Sequence, residues 1–375
     1  MSSPSWSERI AERLDAVRAA GQWRSVRSLD GLGPDFTLAD GTPVVSFASN
    51  DYLGLTTHPA VVAAAHEALD RWGAGSGSAR LVVGARPIHD ELEAALADWK
   101  GMPRAVLFPT GFAANLGLLA TLGGPGTVIC SDELNHASII DGCRQSRATV
   151  WVYPHRDLDA LAERLAADDR PTIVATDTIF SMDGDAADLD RLAALCAEAG
   201  ALLVLDEAHA VFGPSLDPAD HPDLSLVRMG TLSKTLGSLG GFVAASAGVC
   251  DLLVNAARPY IFTTASTPAD AAAALASLAV LRSAEGEERV ARVRRHVARL
   301  VPTDHPSPIV PVVLGDEDRA VKASAALLEQ GLLVPAIRPP TVAPGTSRLR
   351  VTLSAAHTDD QVDRLVAALD AVVGR

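Results

Sequence analysis

Between residues 105 and 246 the sequence returns repeatedly to short apolar runs of strand length, and this feature constrains the fold most. The runs are AVLFP (105–109), TVICS (127–131), ATVWVYP (148–154), TIVATDT (172–178), ALLVLDEAH (201–209), LSLVRMG (224–230) and GFVAAS (241–246). Alanine- and leucine-rich stretches lie between them. The clearest, DLDRLAALCAEAG, puts Leu189, Leu192, Ala193 and Cys196 on one helical face and stops at Gly200. Strand–helix–strand repeats of this kind imply a mostly parallel sheet covered on both faces, an α/β fold.

The flanks read differently. A helical N-terminal arm is expected to about residue 45, followed by a large α/β domain over 46–260. Beyond it, alanine-rich helices over 267–300 and the runs PIVPVVLG, LLVPAI and RLRVTLS imply a linking helix and a small α+β domain over 261–375. At 375 residues and 48% hydrophobic, the chain is too long for one simple core.

Composition removes several function classes. A net charge of −14 argues against nucleic acid and anionic membrane as partners, since both need a basic surface. Cys130, Cys143, Cys196 and Cys250 stand far apart without a C-x-x-C pair, so neither a metal site nor a disulfide framework is expected. The N-terminus is amphipathic and mixed in charge, and no stretch approaches the roughly 18 apolar residues of a membrane span. A cytoplasmic protein acting on small molecules is expected.

In open parallel sheets ligands gather beyond the carboxyl ends of the strands, and Asp206 closes such a run. LLVLDEAH could be a helicase box, but the phosphate loop this requires is missing: the only lysine followed by Ser or Thr is Lys234, and Ser233 precedes it. Alone, Asp206 could simply cap the next turn. Buried, however, it costs several kcal/mol unless a cation meets it. A protonated pyridine nitrogen would serve, and pyridoxal phosphate supplies one together with a need for a lysine amine. Lys234 lies in GTLSKTLGSLGG (230–241) among small residues and hydroxyls, without a neighbouring acid that would hold it protonated. Working as a base near neutrality requires a fall of roughly 3 units from about 10.4, or about 4 kcal/mol. Considered alone, it would be a solvated surface lysine.

FPTGFAANLGLL (108–119) reads as strand end, turn and helix, so the amides of Gly111 and Phe112 could meet a phosphate at the helix N-terminus. An ordinary glycine turn explains the stretch equally well. His136, in SDELNHASIIDG, follows another strand and could lie flat on a pyridine face or merely cap a helix.

Together these motifs resemble the pyridoxal-phosphate-dependent α-oxoamine synthases of fold type I. The resemblance spans nearly the whole chain. It rests on SNDYLGL (49–55), TGFAAN (110–115), NHASIIDG (135–142), FSMDGD (180–185), DEAH (206–209), TLSKTLG (231–237) and RPPTVAPGTSRLRVTLSAAH (338–357), in the family's order. The first and last are most similar to the branch that joins L-alanine to a pimeloyl thioester, on CoA or acyl carrier protein, in biotin synthesis. The nearest alternative within the family is glycine C-acetyltransferase.

The resemblance implies residue roles. Lys234 would bond covalently to the cofactor's aldehyde, Asp206 would pair with the ring nitrogen, and His136 would stack on the ring. His209 and Ser181 would bond the phenolic oxygen. Gly111, Phe112 and Thr231 would hold the phosphate, completed by Thr263 and Thr264 from the second subunit of a homodimer. Asn50 and Arg350 would take the amino acid's carboxylate, where a guanidinium fork suits a planar group. His89 would lie near the acyl substrate. Arg348 shares the strand with Arg350, and only one of the two is expected to point inward. Thr110 and Asp177 stand where the family has serine and glutamate, each keeping the functional group. Arg80 and Arg86 fall where relatives vary.

Overall fold

The computed structural model describes residues 3–374. A helix at Trp6–Ala19, capped by Ser5 and Glu8, buries none of its residues. Three short antiparallel strands follow, β1 (Leu29–Leu32), β2 (Asp35–Leu38) and β3 (Pro43–Ser46). The N-terminal arm is therefore helical only in its first part. Gly33 and Gly41, at φ 63° and 88°, adopt the left-handed turn geometry that reverses the chain between these strands.

The central sheet contains β4 (Arg104–Phe108), β5 (Val128–Asp132), β6 (Thr149–Tyr153), β7 (Thr172–Asp177), β8 (Leu202–Asp206), β9 (Ser225–Thr231) and β10 (Gly241–Ala245). Their order is β4-β10-β9-β8-β7-β5-β6. All ladders from β6 to β9 are parallel, whereas β10 runs antiparallel to both of its neighbours. Alternation decides which helices cover which face. Ile129, Ile173, Val204 and Val227 pack with Leu118, Leu119, Ile139 and Leu253, whereas Val128, Val174, Leu203 and Leu226 pack with Leu161, Leu192 and Cys196. Both faces are dry, so the strands read as continuous apolar runs.

The C-terminal strands are β11 (Ile309–Gly315), β12 (Leu332–Leu333), β13 (Ala336–Ile337) and β14 (Ser347–Thr352). β14 lies between β11 and β13, whereas β12 pairs in parallel with β3. The second core joins Val310, Leu327, Val351 and Leu365 to Val45, Phe47, Leu53 and Leu55. The small unit thus draws on both chain ends, and a boundary at residue 45 cuts through its core. Because residues 45–55 are shared in this way, Asn50 and Tyr52 are carried to the carboxyl end of β8, where Tyr52 meets His209. Among the described residues no helix is long and apolar enough to cross a membrane, and no cluster of metal-ligating side chains occurs.

Candidate active site

The carboxyl ends of β7 and β8 are in register, so Asp177 and Asp206 are cross-strand partners, each 2% exposed. Asp206 accepts from Asn115 Nδ2 at 2.7 Å on one oxygen and from the Ala208 amide at 2.9 Å on the other. These two donors fix how the carboxylate points. Asn115 also donates to Ser138 Oγ at 2.9 Å, whereas its own carbonyl oxygen is buried without a partner. Ser138 in turn lies 2.7 Å from His136 Nδ1. His136 caps the helix Ala137–Ser146, and its amide donates to Asp177 at 2.8 Å. The capping reading therefore holds. Burial, with Asp206 beside it, pushes the Asp177 carboxyl well above the usual range, so Asp177 is a member of the pair that readily keeps a proton.

A row of buried and half-buried side chains, joined by hydrogen bonds, runs between the two units. Lys234 Nζ lies 2.8 Å from His209 Nε2, and His209 Nδ1 lies 2.6 Å from the Tyr52 hydroxyl. Tyr52 donates to Asn50 Oδ1 at 3.1 Å, which also accepts from Arg350 Nη2 at 3.3 Å. Burial and the Lys234 and Arg350 charges push His209 well below its ordinary pKa, so its ring is neutral. The tautomer follows from the bonds: Tyr52 gives its proton to Asn50 and must accept from Nδ1–H, which leaves Nε2 to accept from Lys234. Burial also lowers the Lys234 pKa; Asp206 and Asp177 oppose this, and Arg350 adds to it. Burial pushes the Tyr52 phenol up to about 12.

Arg350 donates from Nε to the Ser181 carbonyl at 2.6 Å and from Nη1 to Thr352 Oγ1 at 3.0 Å. Arg348 is equally buried, at 6% exposed, and bonds Asp183. The expectation that only one of these arginines points inward is corrected. Two residues apart on a strand share a face, and both pin the turn that carries Ser181.

β4 feeds the helix Gly111–Leu122 through Thr110, whose hydroxyl caps it by accepting from the Ala113 amide at 3.0 Å. A Cβ on Gly111 would come within 3.2 Å of Thr231, and one on Gly241 within 2.6 Å of the Gly111 nitrogen. Gly111, Phe112 and Thr231 thus meet at one helix N-terminus, a ready anion cradle. The Phe112 ring meets His136 edge to face, with centroids 6.5 Å apart.

Thr263 and Thr264 have no described contact with the Lys234 group; Thr263 lines a separate small cavity with His89 and Tyr260. His89 is wholly buried. It accepts from the Arg86 amide at 2.9 Å, and its other ring nitrogen lies 2.9 Å from the Ser266 carbonyl, so a neutral ring satisfies both contacts. It ties the helix Pro87–Lys100 to the loop bearing Thr263 and Thr264 and also lines the small cavity beside Thr263. Tyr52, Asn115 and Ser138 were not singled out from the sequence, although each lies inside a quoted motif.

A buried carboxylate with acceptor capacity to spare, an amine of lowered pKa, an unpaired amide oxygen and a helix N-terminus beside Thr231 fit pyridoxal phosphate.

Comparison with known proteins agrees. The profile of the family described as aminotransferase class I and II matches residues 42–369. An 8-amino-7-oxononanoate synthase of Paraburkholderia xenovorans is 44% identical, covering 96% of this chain and 96% of its own length. One of Bordetella petrii is 50% identical over 88% of this chain and 89% of its own. Among solved structures, a serine palmitoyltransferase variant of S. paucimobilis with bound PLP–myriocin aldimine superposes with a TM-score of 0.89 at 31% identity, covering 98% of both chains. With the matched profile spanning most of its length, the chain belongs to the aminotransferase class I and II family.

Proposed function

We propose that this chain joins L-alanine to a pimeloyl thioester with loss of carbon dioxide, giving 8-amino-7-oxononanoate. The observation that carries this reading is the hydrogen-bonded row Lys234–His209–Tyr52–Asn50–Arg350, in a chain 44% and 50% identical to synthases of that product. The row links an amine able to move a proton to a guanidinium able to hold a carboxylate.

When bound, pyridoxal phosphate supplies an electron-poor ring that draws charge from the amino acid's Cα. Asp206 would hold the proton on the ring nitrogen, oriented by Asn115 and Ala208. His136 would cover a ring face, His209 and the Ser181 hydroxyl would meet the phenolic oxygen, and Gly111, Phe112 and Thr231 would hold the phosphate. Arg350 and Asn50 would orient the alanine carboxylate. Lys234, made more readily neutral by burial, removes the Cα proton. The carbon then attacks the thioester carbonyl, the C–S bond breaks and the sulfur leaves as thiolate, which takes a proton from solvent. The carboxylate departs as carbon dioxide, and Lys234 returns a proton to Cα. We further propose a cytoplasmic homodimer in which Thr263 and Thr264 complete the partner's phosphate site, with CoA or acyl carrier protein as thiol carrier.

The test is purified protein given a panel of amino acids and acyl thioesters, scored by thiol release and product mass. Alanine with pimeloyl-CoA should outpace every other pair. Glycine with acetyl-CoA outpacing it would instead assign a glycine C-acetyltransferase.

A further inference from the structure

His155 follows β6 and belongs to none of the groups assigned above. Its Nδ1 lies 2.9 Å from Asp132 Oδ1 and its Nε2 lies 2.9 Å from Asp185 Oδ2. A neutral imidazole has only one N–H, so one carboxylate would face a lone pair. Two ionised carboxylates at this distance are both satisfied only by the doubly protonated ring.

Both acids belong to segments that carry site residues. Asp132 ends β5, is 2% exposed, and also accepts from the amides of Leu134 at 2.9 Å and Arg156 at 2.8 Å, which shapes the turn leading to His136. Asp185 ends the Phe180–Asp185 turn that bears Ser181; it also accepts from Arg156 Nη1 at 3.1 Å, whereas its other oxygen is buried without a partner. The Phe180 ring meets His155 at right angles, 4.3 Å between centroids. On its far side the same turn is held by Arg348 at Asp183 and by Arg350 at the Ser181 carbonyl. A Cβ on Gly184 would fall 2.0 Å from the Ile309 carbonyl oxygen, so the turn is pressed directly onto β11.

We propose that His155 is a positioning residue: as an imidazolium it clamps the His136 loop to the Ser181 turn and so sets the spacing of two groups that would hold pyridoxal phosphate. This rests on the site reading given above. The charged groups facing the ring are Asp132 and Asp185, with Arg156 beside Asp185 and Glu133 accepting from the His155 amide at 3.0 Å. Burial alone would lower its pKa, but the two carboxylates outweigh it and raise the value to about 9. The sign follows. The clamp is intact below the ordinary histidine range and is lost as pH rises through about 9, when the carboxylates face each other across one remaining proton.

The experiment measures retention of pyridoxal phosphate by the holoenzyme on dilution, from pH 7 to 10, for the wild type, His155→Gln, Asp185→Asn and the double variant. The wild type should hold the cofactor to pH 8 and lose affinity around pH 9. His155→Gln should bind roughly tenfold more weakly at pH 7, as expected for one lost charge-assisted bond, and should lack the step near pH 9. Removing the stranded charge in the double variant should recover folding stability but not cofactor retention, because the clamp is still missing; full recovery of retention would overturn it. Asp185→Asn alone should move the step to lower pH, which keeps the test decisive if His155→Gln does not fold. Equal retention and the same pH profile in wild type and variants overturns the clamp. A wild type that binds no pyridoxal phosphate at any pH overturns the site reading itself.

Discussion

Lys234 Nζ lies 2.8 Å from His209 Nε2, and the tautomer deduced for His209 makes that nitrogen an acceptor. The amine is thus held by a neutral base rather than by a carboxylate, which is the condition for a lysine that must shed its proton. Lys234→Ala should reduce turnover by about 10²- to 10⁴-fold or more, because it removes the group that moves the Cα proton. Product formation under single-turnover conditions measures this, and near-normal turnover would exclude Lys234 from the reaction.

Tyr52 is the midpoint of the row, taking a proton from His209 and giving one to Asn50. Tyr52→Phe leaves the His209 N–H buried without an acceptor, a loss of about 1–3 kcal/mol. The expected result is a melting temperature lowered by several degrees and a kcat lowered roughly tenfold, because His209 is freed to take the other tautomer. A variant with unchanged melting and unchanged kcat would show that the row does not act as a unit.

Much of this arrangement is legible in the sequence, and the exceptions have physical causes. The runs closing on Asp177, Asp206 and Thr231 specify their strands because both sheet faces are dry. Sequence patterns also bring Asp206, Lys234, His136 and Gly111 to one end of the sheet. What spacing along the chain does not show is which buried polar atoms pair across elements. Asn115 lies on a helix among leucines, and only the fold reveals that its amide reaches Asp206. His89 has the residue type of a substrate contact, yet both of its nitrogens are used by backbone groups. The Arg348 and Arg350 pair fails for a simpler reason, since positions two apart on a strand share a face.

Asp206 accepts from Asn115 and Ala208 and, in the proposed assignment, would pair with the ring nitrogen. The proposed reaction has two stages that place charge on the same carbon, proton removal and loss of carbon dioxide, and one acid would serve both. Asp206→Ala should depress both by on the order of 10²-fold. Exchange of the alanine Cα hydrogen with deuterated solvent reports the first stage, and release of labelled carbon dioxide from carboxyl-labelled alanine reports the second. A variant that loses one and keeps the other would assign Asp206 to a single stage.

His357 joins the chain ends. Its Nε2 lies 2.9 Å from the Ser46 carbonyl, its Nδ1 accepts from the Ser354 amide at 3.0 Å, and it stacks on Phe47 at 4.3 Å. One ring nitrogen must stay unprotonated to accept, and burial pushes the pKa down to about 4. A histidine whose folded pKa is depressed binds its proton in the unfolded chain first, so stability is full above the ordinary value of about 6.5 and falls as pH drops from there towards 4. By pH 5 the loss from this residue should be about 2 kcal/mol. His209 and His296, whose pKa values burial also lowers, add in the same direction, whereas His155, whose pKa is raised, opposes them over the same interval. Urea denaturation at pH 7 and pH 5 should show this decline, and His357→Gln should be less stable at pH 7 but lose less between the two. If wild type and variant fell by the same amount, His357 would not be the proton acceptor that couples the small unit's stability to pH.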